Sequence, residues 1–187
     1  MDLITRVQEG RPGAFDELYY AYVDRVHRKL HAVVGPDPEL DDLIQQTFLQ
    51  IHGKIGEFRG ECAFATWLHR VALNVALMHL RKRQRWLRFG QEPESLRPAL
   101  EPAGPAAPDD AAGRREKLEL LHGIVGEVKP KKRIVFVLYH VEGHTLEEIA
   151  ELTEASVNTV ASRLRAARKE VRRALERRLQ ARGRASA

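Results

Sequence analysis

Residues 145–169 of the chain read TLEEIAELTEASVNTVASRLRAARK and predict two short helices joined by a tight turn. Thr145 and Glu148 have the spacing of a capping box, in which each side chain accepts a hydrogen bond from the other residue's backbone N–H. Ser156 is expected to cap the second helix by accepting from the N–H of Asn158 or of the residue after it. Short polar and basic side chains then fall on the open side, which suits insertion into the DNA major groove. The alternative is an ordinary surface hairpin of two helices.

Helical spacing of apolar residues extends from this hairpin through most of the chain. Apolar residues recur at intervals of three and four in five stretches, which cover residues 15–30, 40–51, 64–75, 118–128 and 134–141. No run of alternating apolar and polar residues is long enough to predict a strand. The sequence therefore predicts an all-α protein.

A proline-rich segment divides these helices into two groups. Residues 89–113 hold five of the nine prolines, much alanine and a net acidic charge, and they have too little apolar surface to fold alone. We therefore predict two small helical domains, residues 1–88 and 114–187, joined by a flexible Pro/Ala-rich linker. The second domain is expected to end in a basic C-terminal tail.

The charge of the chain favours an anionic partner. The formal net charge is +5 and the isoelectric point is about 9.6, values that suit nucleic acid binding. Residues 69–88 hold six Lys or Arg and no acid, and residues 156–187 hold ten Lys or Arg against two acids. Two separate basic segments imply two separate contacts with a polyanion.

The residues needed for catalysis or cofactor binding are not grouped in any recognised pattern. The sequence has no glycine-rich phosphate loop and no nucleophile elbow. Cys62 with His52 or His69 offers too few ligands, at irregular spacing, for a metal ion. We therefore expect neither enzymatic activity nor a cofactor or metal site.

Cysteine usage and the lack of targeting signals predict a cytoplasmic protein. The single cysteine excludes an intrachain disulfide and fits a reducing compartment. The N-terminal residues lack the basic segment and apolar run of a signal peptide. No apolar run approaches the length of a membrane span, so no membrane insertion is expected.

A predicted helix in the first domain has an acidic outer face. Asp37 and Pro38 are expected to begin it, as cap and first helical residue. Its outward positions are expected to be Glu39, Asp41, Asp42, Gln45 and Gln46. This face is either a solvated surface with favourable charge near the helix N-terminus or a docking surface for a basic partner. Periodicity alone leaves both interpretations open.

Aromatic residues near the first basic segment suit stacking on unpaired bases above an electrostatic groove. Trp67 belongs to an apolar stripe and is expected to pack in the core. Phe58 and Trp86 lie off that stripe and are the better stacking candidates, although each could instead cover an edge of the core.

The order and spacing of these segments resemble a known family. The stretches AFDELYYAYVDRVHRKL (14–30), DPELDDLIQQTFLQIH (37–52) and FRGECAFATWLHRVALNVALMHLRKR (58–83) resemble region two of bacterial sigma factors of the extracytoplasmic-function (ECF) type. The stretch YHVEGHTLEEIAELTEASVNTVASRLRAARKEVRRAL (139–175) resembles region four of the same family. Region three is absent, as in the ECF group.

The resemblance implies an alternative sigma factor. Such a protein binds core RNA polymerase, directs it to specific promoters and helps to open the duplex at the minus-ten element. Promoter DNA would be bound as duplex upstream and as single strand at the minus-ten element. An anti-sigma factor is a further partner that the resemblance implies.

The resemblance also implies three sets of binding residues. Core polymerase would be bound by Asp41, Asp42, Leu43, Gln45, Gln46 and Phe48. The minus-ten element would be bound by Phe58, Arg59, Thr66, Arg70, Asn74, Arg81, Lys82 and Arg83. The minus-thirty-five element would be bound by Ser156, Asn158, Thr159, Ser162, Arg163, Arg165 and Arg168.

Three residues depart from the family pattern and leave the preferred promoter sequence open. Met78 stands where Asp is common, Glu154 where the turn usually has Gly, and Ala161 where Lys is frequent. The alternative function is a stand-alone helix-turn-helix transcriptional regulator that binds duplex DNA without polymerase.

Overall fold

The computed structural model describes residues 2–89 and 120–185. Every regular element in those ranges is a helix, and the chain forms two compact units, Met1–Arg97 and Pro98–Ala187. The predicted all-α fold with two helical domains is confirmed. Most of the predicted linker lies outside the described residues, so its bounds stay a prediction. Within the described ranges no helix is both long and apolar enough to cross a membrane.

Four α-helices and a short 3-10 turn make up the first unit. In chain order they are α1 (Leu3–Gln8), α2 (Ala14–Val34), α3 (Leu40–Lys54), the 3-10 turn (Ile55–Glu57) and α4 (Phe64–Phe89). Helices α2, α3 and α4 pack against one another, and α1 packs on α2. Most of the largest fully buried side chains come from the predicted apolar stripes: Leu18, Val26, Leu30, Ile51, Leu68 and Val75. Val33 is also fully buried and extends the α2 stripe beyond its predicted end.

The second unit is also a helical bundle. Its described elements are α5 (120–126), α6 (Pro130–His140), α7 (Leu146–Leu152) and α8 (Val157–Ala185). Helices α6 and α7 both pack against α8, around Val135, Val137, Leu138, Ile149, Val160 and Ala167. Gly143 follows α6 with a φ of 75°, a left-handed conformation that glycine adopts without steric cost.

Ion pairs hold the later part of α8 against its neighbours. Glu127, just after α5, pairs with Arg177 and Arg178, and Glu170 pairs with Lys132 of α6. Partial burial alone would raise the pKa of Glu170, but hydrogen bonds from Lys132 and a backbone N–H hold that pKa below its ordinary value. The long helix is therefore anchored at two points beyond the predicted DNA-reading segment.

A buried carboxylate joins the turn before α3 to α4. The side chain of Asp37 is 0% exposed, and its Oδ2 lies 2.9 Å from His79 Nε2 and 3.1 Å from Arg83 Nη1. Its Oδ1 accepts the backbone N–H of Glu39 at 3.0 Å. Both oxygens of the carboxylate therefore have hydrogen-bond partners, as the burial of a charge requires.

This carboxylate also explains where α3 begins. The helix starts at Leu40 rather than at Pro38, so the predicted start was wrong by two residues. Asp37 closes a turn instead, in which its carbonyl accepts the Leu40 N–H at 3.1 Å. Desolvation alone would raise the pKa of Asp37, but the hydrogen bonds from His79 and Glu39 and the charge of Arg83 lower it below its ordinary value.

Removing the charge of Asp37 should destabilise the first unit. Asp37→Asn leaves the Arg83 guanidinium and His79 without their buried carboxylate, and we expect a loss of about 2–3 kcal/mol in the free energy of unfolding. Urea unfolding followed by tryptophan fluorescence isolates this unit, because the only two tryptophans, Trp67 and Trp86, lie in it.

The matched control is Asp24→Asn, at an exposed position of α2. The folded pKa of Asp37 is depressed, so its stabilisation is present above about pH 4, the ordinary carboxyl pKa, and is lost as the pH falls through the lower folded value. The difference in the free energy of unfolding between Asp37→Asn and the unsubstituted protein should therefore shrink as the pH falls through the same range. Equal losses for the two variants would contradict the role given to Asp37.

Candidate functional site

The outer face of α3 carries exposed acidic and amide groups. Asp41, Asp42, Gln45 and Gln46 are exposed, as predicted. Leu43 and Phe48 are each only 4% exposed, because the helical period turns them toward α2 and α4. These two residues of the predicted set therefore support the face from beneath and do not lie on it.

Two exposed apolar side chains of the first unit were missed from the sequence, and one of them, Leu49, lies on this face. Leu49 of α3 is 72% exposed, and Tyr20 of α2 is 77% exposed. Leu49 lies one helical turn after Gln45 and Gln46, so the spacing that defined the acidic face already contained it. Leu49 was not recognised as part of the face because a leucine in an amphipathic helix is usually assigned to the core.

The loop between α3 and α4 is built on aromatic contacts. The ring of Phe58 is edge-on to Phe64 at 5.4 Å and tilted against Trp67 at 5.5 Å, between ring centroids. Trp67 was predicted to pack in the core, but it is only half-buried in this cluster. Arg59 follows Phe58 and is exposed, and Gly60 has a φ of 75°. The loop thus presents a basic side chain beside a half-open aromatic surface.

One side of α4 continues from this loop. Thr66, Arg70, Asn74 and Arg81 are spaced by four, four and seven residues, which places them on one stripe. Asn74 and Arg81 are exposed, and Thr66 and Arg70 are partly so. The structure therefore brings these four predicted residues together along one line.

Two further residues of the predicted minus-ten set lie elsewhere on α4. The Lys82 Nζ sits over the Trp86 ring, 4.3 Å from its centroid, so this pair forms a cation–π contact off the stripe. Arg83 turns to the core side of the helix, where it pairs with buried Asp37. The Arg83 side chain is still 23% exposed, so its contact with the minus-ten element stays a prediction.

The two helices predicted for residues 145–169 form, as α7 and the start of α8. Thr145 Oγ1 accepts the Glu148 N–H at 3.2 Å, and Glu148 Oε2 accepts the Thr145 N–H at 2.9 Å, which completes the capping box. Ser156 Oγ accepts the Thr159 N–H at 3.2 Å and lies 2.9 Å from the Thr159 hydroxyl. Ser156 therefore begins α8, as predicted.

The open side of α8 differs in part from the predicted set. Asn158, Ser162 and Arg165 are exposed, and Lys169, one turn further on, shares their side although it was not predicted. Arg163 is only half-exposed. A cation-bearing row therefore runs along one side of α8 from its capped N-terminus.

The Arg168 side chain contacts His140 and Tyr139 of the second unit. Its Nε donates to His140 Nε2 at 3.1 Å, and its guanidinium carbon lies 5.3 Å from the Tyr139 ring centroid. Partial burial, followed by the charge of Arg168, lowers the pKa of His140, which favours the neutral ring that accepts this bond. Arg168 is exposed even so, and its contact with the minus-thirty-five element stays a prediction, while this bond also braces α8 against the end of α6.

The turn between α7 and α8 has a left-handed residue. Glu154 has a φ of 49° and is the one non-glycine residue with positive φ within the described ranges. An L-residue in this conformation costs about 1–2 kcal/mol. The departure from glycine noted in the sequence therefore coincides with local strain.

Comparison with known proteins gives matches to both units. The model described as Sigma-70 region 2 matches residues 18–86, and that described as Sigma-70, region 4, matches residues 118–171. Both describe parts of sigma factors and neither describes a catalytic domain. The chain is 32% identical to the RNA polymerase sigma-H factor of Pseudomonas aeruginosa over 184 residues, which covers 93% of this chain and 92% of that protein.

Two other proteins extend the comparison. The ECF RNA polymerase sigma-E factor of Haemophilus influenzae is 28% identical over 173 residues, which covers 90% of this chain and 91% of that protein. A solved structure of the sigma factor RpoE in complex with the anti-sigma factor NepR, from Bartonella quintana, has a TM-score of 0.60 at 18% identity. That match covers 88% of this chain and 98% of that one, and it supports the fold.

Relief of the strain at Glu154 should stabilise the second unit. We expect Glu154→Gly to raise its free energy of unfolding by about 0.5–1 kcal/mol, since the lost left-handed penalty exceeds the added flexibility of the unfolded chain. Amide hydrogen exchange of α7 and α8 measures the change. Glu151→Gly, inside α7, is the opposite control and should cost about 1 kcal/mol. Faster exchange in both variants would contradict the strain at Glu154.

Proposed function

Because the chain belongs to the sigma-70 family of RNA polymerase sigma factors, in its ECF group, we propose that its two units divide promoter recognition between them. The protein is an alternative sigma factor, with core RNA polymerase and promoter DNA as its partners. We assign polymerase binding and minus-ten opening to the first unit and minus-thirty-five binding to the second. The assignment rests mainly on one observation, the presence of an exposed acidic face and an exposed basic stripe on different helices of the first unit.

The acidic face of α3 is the proposed contact with core polymerase. Asp41, Asp42, Gln45 and Gln46 supply charge and hydrogen-bonding groups that complement a basic surface, which the family resemblance identifies as a coiled coil of the largest subunit. Exposed Leu49 supplies apolar area at the same face. Interfaces place such apolar anchors near the centre, with charged groups at the rim. Buried Leu43 and Phe48 keep the face rigid.

The loop and basic stripe of the first unit are the proposed minus-ten site. Opening DNA requires capture of an unpaired base, and aromatic and basic groups next to each other suit this task. Phe58 with Arg59 would receive the base, while Thr66, Arg70, Asn74 and Arg81 would follow the displaced strand along α4. The Lys82–Trp86 pair would contact the strand only at the end of that path.

The N-terminal part of α8 is the proposed reader of the minus-thirty-five duplex. Ser156 and Thr159 fix the helix start, and Asn158, Ser162 and Arg165 face outward from it. A capped N-terminus followed by short polar side chains and an arginine suits base edges in the major groove. Lys169 is assigned to phosphate, and half-exposed Arg163 to the edge of this surface.

An anti-sigma factor is the proposed regulator of this protein. The RpoE neighbour was solved with such a partner, and the fold match covers nearly all of that chain. A regulator that covers the acidic face of α3 would block polymerase binding directly. We further propose that the protein acts in the cytoplasm, where core polymerase and promoter DNA are found, and has no catalytic chemistry of its own.

A run-off assay tests the proposed function against a stand-alone regulator. Purified protein is added to core polymerase on a library of genomic promoter fragments, and start sites are mapped. We expect discrete starts that require the protein and that shift when the minus-ten sequence is altered. Tight binding to a promoter fragment without polymerase, and no start-site selection with it, would favour the stand-alone helix-turn-helix regulator.

Charge reversal on α3 tests the polymerase contact separately. Asp41→Lys combined with Asp42→Lys should lower affinity for core polymerase by at least about tenfold, because two cations would then face a basic surface. Co-migration with core polymerase gives the affinity, and circular dichroism checks the fold. The control reverses two other exposed acids of the first unit, Asp16→Lys with Asp24→Lys. Undiminished holoenzyme formation by the α3 variant would remove the docking assignment.

A further inference from the structure

A side chain of α1 reaches the loop that follows α3. The Nε2 of Gln8 lies 2.8 Å from the carbonyl oxygen of Ile55 and 2.8 Å from that of Phe58. A carboxamide nitrogen carries two N–H donors, so one group can make both bonds. Both neighbours are carbonyl acceptors, and the nitrogen rather than the oxygen of the amide must therefore face them. One side chain thus bridges the two ends of the 3-10 turn.

The turn that Gln8 bridges is held on its other side as well. The Phe58 N–H donates to the Ile55 carbonyl at 3.1 Å, and the Ile55 side chain is buried. The Phe58 ring packs on Phe64 and Trp67. With its backbone fixed by Gln8 and its ring fixed by the aromatic cluster, Phe58 has little freedom left.

We propose that Gln8 is a positioning residue that holds the Ile55–Phe58 turn in the shape that receives an unpaired base. This inference rests on the proposed function, in which the loop captures a base of the minus-ten strand. A loop that is ordered before binding loses less conformational entropy when it closes on its ligand. Gln8 lies outside residues 18–86, the stretch that matches region two, so the family comparison does not assign it.

The position of Gln8 allows this role to be separated from a purely structural one. Gln8 is exposed at the end of α1, so its replacement opens no cavity in the core. Gln8→Met keeps the length of the side chain and removes both N–H donors. The matched control is Gln180→Met, the same change at an exposed position of the second unit.

The test uses the assembled holoenzyme and fluorescent single-stranded oligonucleotides with the minus-ten sequence of a promoter mapped by run-off transcription. A parallel series carries an abasic site at each position in turn, and the position whose loss weakens binding most identifies the captured base. We expect Gln8→Met to lower affinity for the intact oligonucleotide by about 3- to 10-fold, the effect of losing about one net hydrogen bond. Affinity for the abasic oligonucleotide should not change, because no base is left to capture.

A second readout confirms that the substitution acts at the turn. The Phe58 amide should exchange with solvent faster in Gln8→Met, since the turn that protects it is loosened. Holoenzyme formation should match that of Gln180→Met. Equal weakening on intact and abasic oligonucleotides, or no weakening on either, would overturn the proposal.

Arg59→Ala distinguishes failure of this inference from failure of the proposed function. If Arg59→Ala weakens binding to the intact oligonucleotide and Gln8→Met does not, only the role of Gln8 is lost. If no abasic position matters and Arg59→Ala has no effect, the loop captures no base. The minus-ten assignment and the inference built on it then both fail.

Discussion

The enclosed carboxylate of Asp37 is the interaction on which the first unit depends. It bonds to His79 and Arg83 of α4 and to the backbone at the start of α3. Helix α3 carries the acidic face, and α4 carries the basic stripe. Loss of one partner from a buried ion pair costs several kcal/mol, so the two helices cannot slide past each other without a large penalty. Their relative orientation is therefore set by one buried charge and the apolar core around it.

This rigidity keeps surfaces of opposite sign apart within a small domain. A sigma factor has to bind a protein partner and a polyanion at once, and charge of either sign near the wrong surface would weaken that contact. The pair with Asp37 also neutralises the charge of Arg83, which is only 23% exposed. Asn74 and Arg81 are exposed, and Arg70 partly so, along a single side of α4. Separation of charge thus follows from which side of each helix is buried.

Features that depend on near neighbours in the chain were predictable from sequence. The capping box of Thr145 and the Ser156 cap involve residues three positions apart, and the apolar stripes depend on spacings of three and four. Contacts between distant segments were not predictable. In the sequence, Arg83 and Arg168 look like other basic residues, although each bonds to a side chain that lies 46 or 28 residues away. Nothing near Gln8 in the sequence indicates its hydrogen bonds to carbonyls that lie 47 and 50 residues away. Composition reports charge, whereas only the fold reports whether that charge is free to bind.

The length of α8 gives the second unit a mechanical property. Asn158 near one end and Arg177 near the other are separated by 19 residues, or about 28 Å at 1.5 Å per residue. Arg177 and Arg178 form salt bridges with Glu127, while the opposite end of α8 is the proposed site that reads the minus-thirty-five element. A tilt of α8 by about 5° around its Arg177 end would move the reading end by about 2.5 Å, close to a hydrogen-bond length, and the Glu170–Lys132 pair and the packing on α6 and α7 oppose such a tilt. Substitutions at Glu127, far from any base, could in this way change which base pairs are read.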